Sequence, residues 1–482
     1  MQPPQAPRRP QRLVQHGVER IDDYYWLRDD QREDAEVLAY LRAETKYAAH
    51  HLAARDDAEE ALFEELRSRI EEDDDSVPYR EGDYWYWTRE RGELEHPIYM
   101  RRRDHPDAIE EVMLDVNELA AGHGFFDVTG VTVSPNGRYL AFAEDPISRG
   151  EWTLRIRDLR DGTFLPEQIA NTAGDMVWAN DSSTLFYVKQ QADTLIPDRV
   201  FRHRLGADPD RDALVYRETD DSFFVMLDKS QDDAWIFIAA IATLTTECWY
   251  LPADRPDTSP AVVLQRQAGH EYDLDVIDEV AVILSNWNAE NFRVLEVPLA
   301  RSTDQSCWRE LIPHQPGVLL QDFAVFRHHL VLEELAAANT RLRIVHRRSL
   351  ASFLVASAEP AFTAQIDENR GADPSVLRYA YSSLATPDSV YEVDLATGQR
   401  VLLKRHAVPN FAADDYRTLR VSATARDGTT IPVSLLTAAG AEPDGSHPLY
   451  IVGYGAYGLS NHPEFDADLL TLVDRGFVVA LA

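Results

Sequence analysis

Seven short apolar runs recur through the middle of this chain at a nearly even interval. They are Tyr84-Trp85-Tyr86-Trp87, Tyr139-Leu140-Ala141-Phe142, Thr184-Leu185-Phe186-Tyr187, Ala234-Trp235-Ile236-Phe237, Val280-Ala281-Val282-Ile283, His329-Leu330-Val331-Leu332 and Leu377-Arg378-Tyr379-Ala380. Their starts lie about 45 to 55 residues apart, close to the period of propeller blades. Polar turns occupy matching places: Ser134-Pro135-Asn136-Gly137-Arg138, Asn180-Asp181-Ser182-Ser183 and Ser230-Gln231-Asp232-Asp233 each precede a run. Asp394-Leu395-Ala396-Thr397-Gly398-Gln399 reads as a hairpin turn between strands at 390–393 and 401–404. Units with apolar faces this large cannot leave them wet, and radial stacking buries them. The spacing predicts a seven-bladed β-propeller over residues 78–406. The competing reading, a tandem of β-sandwiches, gives no reason for one period to persist through seven units.

The flanks differ in texture. Residues 1–77 read as an N-terminal helical extension. Its first 12 residues are rich in Pro and Arg and read as extended. The cluster Tyr24-Tyr25-Trp26-Leu27 is either a docking patch or a turn packed on itself. Residues 32–72 carry apolar side chains at spacings of three and four with no Pro or Gly between them, which predicts helix. The acidic run 71–75 followed by Pro78 reads as a solvated linker; the spacing and central glycine of an EF-hand loop are absent. Beyond the repeats, Asp427-Gly428 predicts a hairpin between strands at 419–425 and 430–436. Residues 448–482 then read as strand, glycine-rich turn, helix and strand. Both strands, 448–452 and 477–482, have the continuous apolar character of buried strands in a parallel sheet. This is the opening of an α/β domain over residues 407–482, incomplete as it stands, with 478–481 expected to lack a partner on one side.

The formal charge of −34 argues against nucleic acid as a partner, since phosphates would be repelled, and suits cationic ligands drawn inward by a negative field. A solvated acidic surface is the plainer meaning of the same number. No run approaches the roughly 18 apolar residues of a membrane span. The start lacks the apolar core of a secretory signal. Cys248 and Cys307 make no framework, which fits buried thiols and a cytoplasmic location.

Searches for chemistry give little. There is no HExxH zinc motif and no GxxxxGK phosphate loop. Gly453, Gly455 and Gly458 match dinucleotide-loop spacing, but Pro463 opposes a helix opening at the third glycine. No serine lies in a GxSxG elbow. No cofactor or metal is implied.

Five motifs nevertheless occur in an order that resembles the prolyl oligopeptidase family of serine peptidases, most closely its oligopeptidase B branch. They are His16-Gly17 with Arg20, Asp22 and residues 24–30 (YYWLRDD); Trp178-Ala179-Asn180-Asp181-Ser182; residues 381–388 (YSSLATPD); residues 453–458 (GYGAYG); and residues 472–478 (LVDRGFV). The resemblance covers nearly the whole chain. It implies an N-terminal extension packed on an α/β-hydrolase domain, a propeller that restricts entry to short peptides, and cleavage after Lys or Arg. It places the nucleophilic serine, the aspartate and the histidine beyond residue 482, with at least some of the acidic residues that set the basic preference. It gives Tyr454 the role of oxyanion donor and makes Tyr457 a wall of the pocket. On the residues alone, Tyr454 is a packed aromatic at a turn. Val452 and Ala456 depart from the branch's expected Tyr and Ser.

The expectation is an oligopeptidase B-like serine endopeptidase acting on short basic peptides, with these 482 residues inactive alone. The alternative is a noncatalytic propeller that binds peptides or proteins.

Overall fold

Strand Val280–Ser285 shows the rule by which most of this protein folds. Side chains alternate across a strand. Ala281 and Ile283 join Phe237, Cys248 and Val263 of the sheet before. Val282 and Leu284 join Leu330, Leu332 and Val345 of the sheet after. In strand Thr184–Gln190, Leu185 and Tyr187 face one cluster while Phe186 and Val188 face another. The runs are continuously apolar because both faces are buried.

The structure, a computed structural model, describes the backbone of residues 1–482 and the side chains at all positions except 54 and 56. Two compact units are present, Met1–Ile70 and Glu71–Ala482. In the second, sheets of five, seven, four, four and eight strands, antiparallel except at the Thr340–Thr363 bridge, follow one another between residues 74 and 405. Each of the seven repeated runs lies in a strand of these sheets. The sheets stack face to face around a channel as a β-propeller. A short helix, Val116–Ala120, interrupts them early.

The repeated turn words have one physical basis. Ser134 Oγ meets Asn136 Oδ1 at 2.8 Å and accepts the N–H of Tyr139 at 2.9 Å. Ser230 donates to Asp232 at 2.7 Å and accepts from the N–H of Trp235 at 2.9 Å. The serine thus ties the turn to the strand that follows it.

The first and last sheets meet differently from the rest. No apolar cluster among the described residues joins them. Lys404 instead bonds Asp74 and the carbonyl of Asp75, and His406 Nε2 lies 3.0 Å from Asp74. Arg378 reaches the carbonyl of Val77 at 3.4 Å, and Arg370 lies 3.8 Å from Glu81. The acidic run is a solvated linker only in part: Glu71, Glu72 and Asp73 are exposed, but Asp74–Asp75 is a strand paired with Tyr84–Glu90, and Asp75 also pairs with Arg89 and Arg91. Isolated from its partners the run looked like solvent-facing charge, but its cations come from sequence positions far away.

In the unit Met1–Ile70, strands Gln11–Gln15 and Val18–Asp22 form a hairpin. The predicted continuous helix is two, α1 (Ala35–Leu52) and α2 (Asp56–Arg67), with a 3-10 turn between. Arg55 leaves the helical region there (φ −114°, ψ 1°), and no Pro or Gly marks the break. Asp34 caps α1 by accepting the N–H groups of Glu36 and Val37. Trp26 is held locally: its Nε1 donates to the carbonyl of Pro7 at 2.9 Å, and its ring lies 6.5 Å from Tyr40.

At the other end, Tyr416–Thr424 and Thr430–Ala438 form the expected hairpin, with Gly428 at φ +88° in its turn. The sheet order is Tyr416–Thr424, Thr430–Ala438, Val478–Leu481, Leu449–Val452. This corrects two expectations. Val478–Leu481 is not unpaired: it is antiparallel to Thr430–Ala438 and parallel to Leu449–Val452. Leu449–Val452 is not buried: it is the edge, and Ile451 is 61% exposed. The same apolar composition serves a central and an edge strand, so the sequence could not rank them. Helix Ala467–Asp474 packs Leu470 and Val473 onto Leu436, Val479 and the Leu384-Ala385 turn of the propeller.

Two outcomes follow from these contacts. Lys404→Met should lower stability by about 1–2 kcal/mol, read by thermal unfolding, because it leaves a partly buried Asp74 with one cation fewer. Ile451→Lys should lower binding of an apolar fluorescent dye by about half without moving the melting temperature; an unchanged signal would place the exposed apolar surface elsewhere.

Candidate functional site: a carboxylate-lined channel

Tyr79–Glu81 and the first strand of each later sheet have neighbours on one side only, and these strands line the channel. Tyr79–Glu81, Asp127–Val133, the end of Thr163–Trp178 and Phe224–Lys229 supply most of the wall of a cavity of about 790 Å³. Phe224–Lys229, Tyr272–Ile277, Leu319–Val325 and residues 366–370 line a second, of about 530 Å³. The two share Asp228, Lys229, Gln231 and Arg370.

Two glycines allow the inner strands to approach. A Cβ on Gly130 would sit 2.0 Å from the carbonyl oxygen of Gly174, and one on Gly174 would sit 2.5 Å from Thr129 Cγ2. Both have positive φ, +65° and +90°, which disfavours any other residue.

Carboxylates outnumber the channel cations, Arg80, Lys229 and Arg370, most clearly in the smaller cavity. Asp175, Asp228, Asp273, Asp275 and Asp322 project from successive inner strands, with Glu333 behind them. Among the described residues none of these six has an ion-pair partner. Elsewhere the protein pairs its sheltered carboxylates: Asp158 lies between Arg160 and Arg138, and Glu334 between Arg341 and Arg343. The side-chain hydrogen bonds from Arg160 and Arg138 hold Asp158 well below the usual carboxylate range. In the channel the balance is reversed. Desolvation pushes Asp175 and Asp273 up to about 6 and Asp275 and Glu333 up to about 7. Asp273 keeps contact with channel solvent, yet protein crowds it, and its one compensating bond is the N–H of Leu274.

The sequence carried a signal for these groups that motif searching passed over. An acidic residue recurs in or just after the strand before several of the apolar runs: Asp175, Asp228, Asp273 and Asp275, Asp322 and Asp367. A net charge of −34 spread over a surface would not recur at this place in the unit.

Tyr454 lies outside both cavities, in the irregular segment after Leu449–Val452. It is 58% exposed, so it is not the packed aromatic that its turn suggested. Tyr457 is 90% exposed, with φ +56°. No helix opens at Gly458; the next begins at Ala467. Further along, this segment is tied to the propeller: His462 Nδ1 lies 3.1 Å from Thr340 Oγ1, and the N–H of Phe465 donates to Ser382 Oγ at 2.9 Å. Cys248 and Cys307 are free thiols. Among the described residues no His, Cys, Asp and Glu cluster is arranged to hold a metal ion, and no helix is long and apolar enough to cross a membrane.

The arrangement is a passage lined by more carboxylates than cations, the cations being Arg80, Lys229 and Arg370. It favours cations by its field. Comparison with known proteins gives it a context. The family model for the prolyl oligopeptidase N-terminal beta-propeller domain matches residues 4–406. Dipeptidyl aminopeptidase BI of Pseudoxanthomonas mexicana is 38% identical over 498 aligned residues, covering 100% of this chain and 68% of the relative. Protease 2 of Moraxella lacunata is 30% identical, covering 100% and 70%. The structure of oligopeptidase B from Leishmania major superposes with a TM-score of 0.92 at 30% identity, covering 99% of this chain and 71% of that one.

The raised carboxylates predict a pH dependence with a definite sign. Asp275 has a higher pKa folded than unfolded, so its contribution to stability is complete below about pH 4 and lost as pH rises through about 7. Asp275→Asn, fixed in the neutral form, should raise stability at pH 8 by on the order of 2 kcal/mol and change it little at pH 4. Denaturant unfolding at the two pH values checks this.

Proposed function

This chain belongs to the prolyl oligopeptidase family, and on that premise we propose that it forms the propeller and the opening of the hydrolase domain of an oligopeptidase B-like serine endopeptidase. The substrates are short peptides cleaved after Lys or Arg. The observation that carries the basic preference is the row of unpaired channel carboxylates, which would draw cationic peptides inward while the passage excludes folded proteins.

The five sheets are read as seven blades. Dividing the seven-stranded sheet at Thr163–Trp178 and the eight-stranded one at the Thr340–Thr363 bridge leaves seven units, each with one strand on the channel. The domain limits follow as 1–77, 78–406 and 407–482. A cytoplasmic setting suits the two free thiols.

The nucleophilic serine, aspartate and histidine are placed outside these 482 residues, since no GxSxG occurs among them. In the assembled site the serine attacks the carbonyl, the histidine takes its proton and returns it to the leaving amine, and the aspartate orients the histidine. Tyr454 and a backbone N–H hold the oxyanion. A phenol placed where charge develops stabilises the tetrahedral intermediate more than the substrate. The exposure of Tyr454 leaves its hydroxyl available for that role.

The 38% identity to a dipeptidyl aminopeptidase favours a second reading, removal of dipeptides from free N-termini. The noncatalytic binding module is a third.

Reading the coding frame beyond codon 482 tests the placement of the triad, and paired substrates test the activity. The protein carrying those downstream residues should hydrolyse an N-blocked arginyl substrate, while the 482-residue chain alone should not. Turnover of a free-amine dipeptidyl substrate with the blocked one untouched would favour the second reading. Peptide binding without any turnover would favour the third. Tyr454→Phe should lower kcat by about 10- to 100-fold with KM changed less than about twofold.

A further inference from the structure

The motif at residues 381–388 (YSSLATPD) gathers around one carboxylate. Ser383 Oγ donates to Glu359 Oε1 at 2.5 Å, Thr386 Oγ1 donates to the same carboxylate at 3.1 Å, and the Tyr381 hydroxyl donates to Oε2. The N–H of Glu359 donates to Ser357 Oγ at 3.2 Å, and Ser357 Oγ lies 2.9 Å from the Tyr381 hydroxyl. Among the described residues Glu359 has no ion-pair partner, so hydroxyls hold it. Burial, and then Glu359 itself, pushes the Tyr381 hydroxyl up, which keeps it a donor. The same loop holds a second turn. Asn339 Nδ2 donates to the carbonyl of Pro360 at 3.1 Å, and the N–H of Phe362 donates to Asn339 Oδ1 at 3.2 Å. Residues 357–362 thus fasten the turn after His329–Ala336 and the turn after Val376–Ser383. These are the turns that meet residues 407–482. Arg420 donates to the carbonyl of Ala338 at 3.1 Å and to Asn339 Oδ1, and Leu384 and Ala385 pack with Leu470 and Val473. The His462 contact with Thr340 and the Phe465 contact with Ser382 fall at the same two places.

We infer that residues 357–362 form a clip that sets where residues 407–482 sit on the propeller, with Glu359 as its positioning residue. Ser383 Oγ also accepts the N–H groups of Ala385 at 3.2 Å and Thr386 at 3.0 Å. The carboxylate therefore fixes the direction of that hydroxyl, and through it the shape of the turn. Ser383 and Leu384 are fully buried, so water cannot replace Glu359 as the acceptor without opening the contact. At the other turn Ala337 and Ala338 have φ of +49° and +59°, a conformation that residues other than glycine keep only where their surroundings impose it. Phe465 lies near the end of the irregular segment that carries Tyr454, so the clip anchors one end of that segment. The docking stands without the peptidase reading; its bearing on Tyr454 rests on it.

The test is amide hydrogen exchange on the 482-residue chain. Glu359→Ala should speed exchange at Phe465 and through helix Ala467–Asp474 by about tenfold, while strand Val280–Ser285, far from the clip in the chain, exchanges as before. Glu359→Gln keeps the side-chain length and one acceptor oxygen, and should hold the rise below about threefold. Tyr381→Phe removes one donor and keeps the ring, so it should raise exchange at the same amides by about threefold, and it carries the test if Glu359→Ala does not fold. Unchanged exchange at these amides in both the Ala and the Phe variants would overturn the inference. So would an equal rise in Val280–Ser285, which marks general loss of stability, or a Gln variant that restores no protection. No turnover enters the measurement, so these results would sink the clip alone. Failure of the protein carrying the downstream residues to hydrolyse arginyl substrates would sink the peptidase reading alone.

Discussion

Burial of both faces of each sheet is the constraint on which the rest of this structure depends. A strand such as Val280–Ser285 carries apolar side chains on both sides, so its sheet needs a neighbour before it and another after it. Each four-stranded unit buries too little by itself, and stacking makes every sheet the solvent shield of the next. The inner strands are then forced together, closely enough that a side chain at Gly130 would collide with the Gly174 backbone and one at Gly174 with the Thr129 side chain. The channel is a consequence of the stacking, and so is its lining.

That geometry explains why carboxylates behave differently in different parts of one molecule. Farther from the channel an arginine on the adjacent strand can swing over, as Arg341 and Arg343 do for Glu334. On inner strands the facing side chains come from other inner strands, and these bring more carboxylates. Asp228 and Asp232 add to the desolvation that raises Asp275. The same stacking cannot be completed between the first and last sheets, where charged contacts around Asp74 and Lys404 replace an apolar cluster. The propeller therefore carries its polar chemistry at the two places that face-to-face packing leaves over, the axis and the seam.

Much of this was legible in the residues. The recurring runs are strands because apolar residues on both faces permit little else at that length. The serine turns could be matched across units because one short hydrogen-bond pattern serves each. The Asp-Gly hairpin was equally plain, since its turn geometry is local. What failed was anything set by distant partners. Asp74 looked as solvated as residues 71–73 because Lys404 is some 330 residues away in the chain. The two apolar strands at 448–452 and 477–482 looked alike because edge and centre differ only in what lies beside them. The break between α1 and α2 has no breaker residue to announce it.

The sequence by itself determined the alternation of strand and turn, the unit length and the family resemblance, because these rest on side-chain type and on interactions spanning a few residues. Only the tertiary structure decided which acidic residues share one channel, which strand is an edge, and which cation holds Asp74. Those properties depend on distance in space and on exclusion of water, and neither is written in the order of the residues.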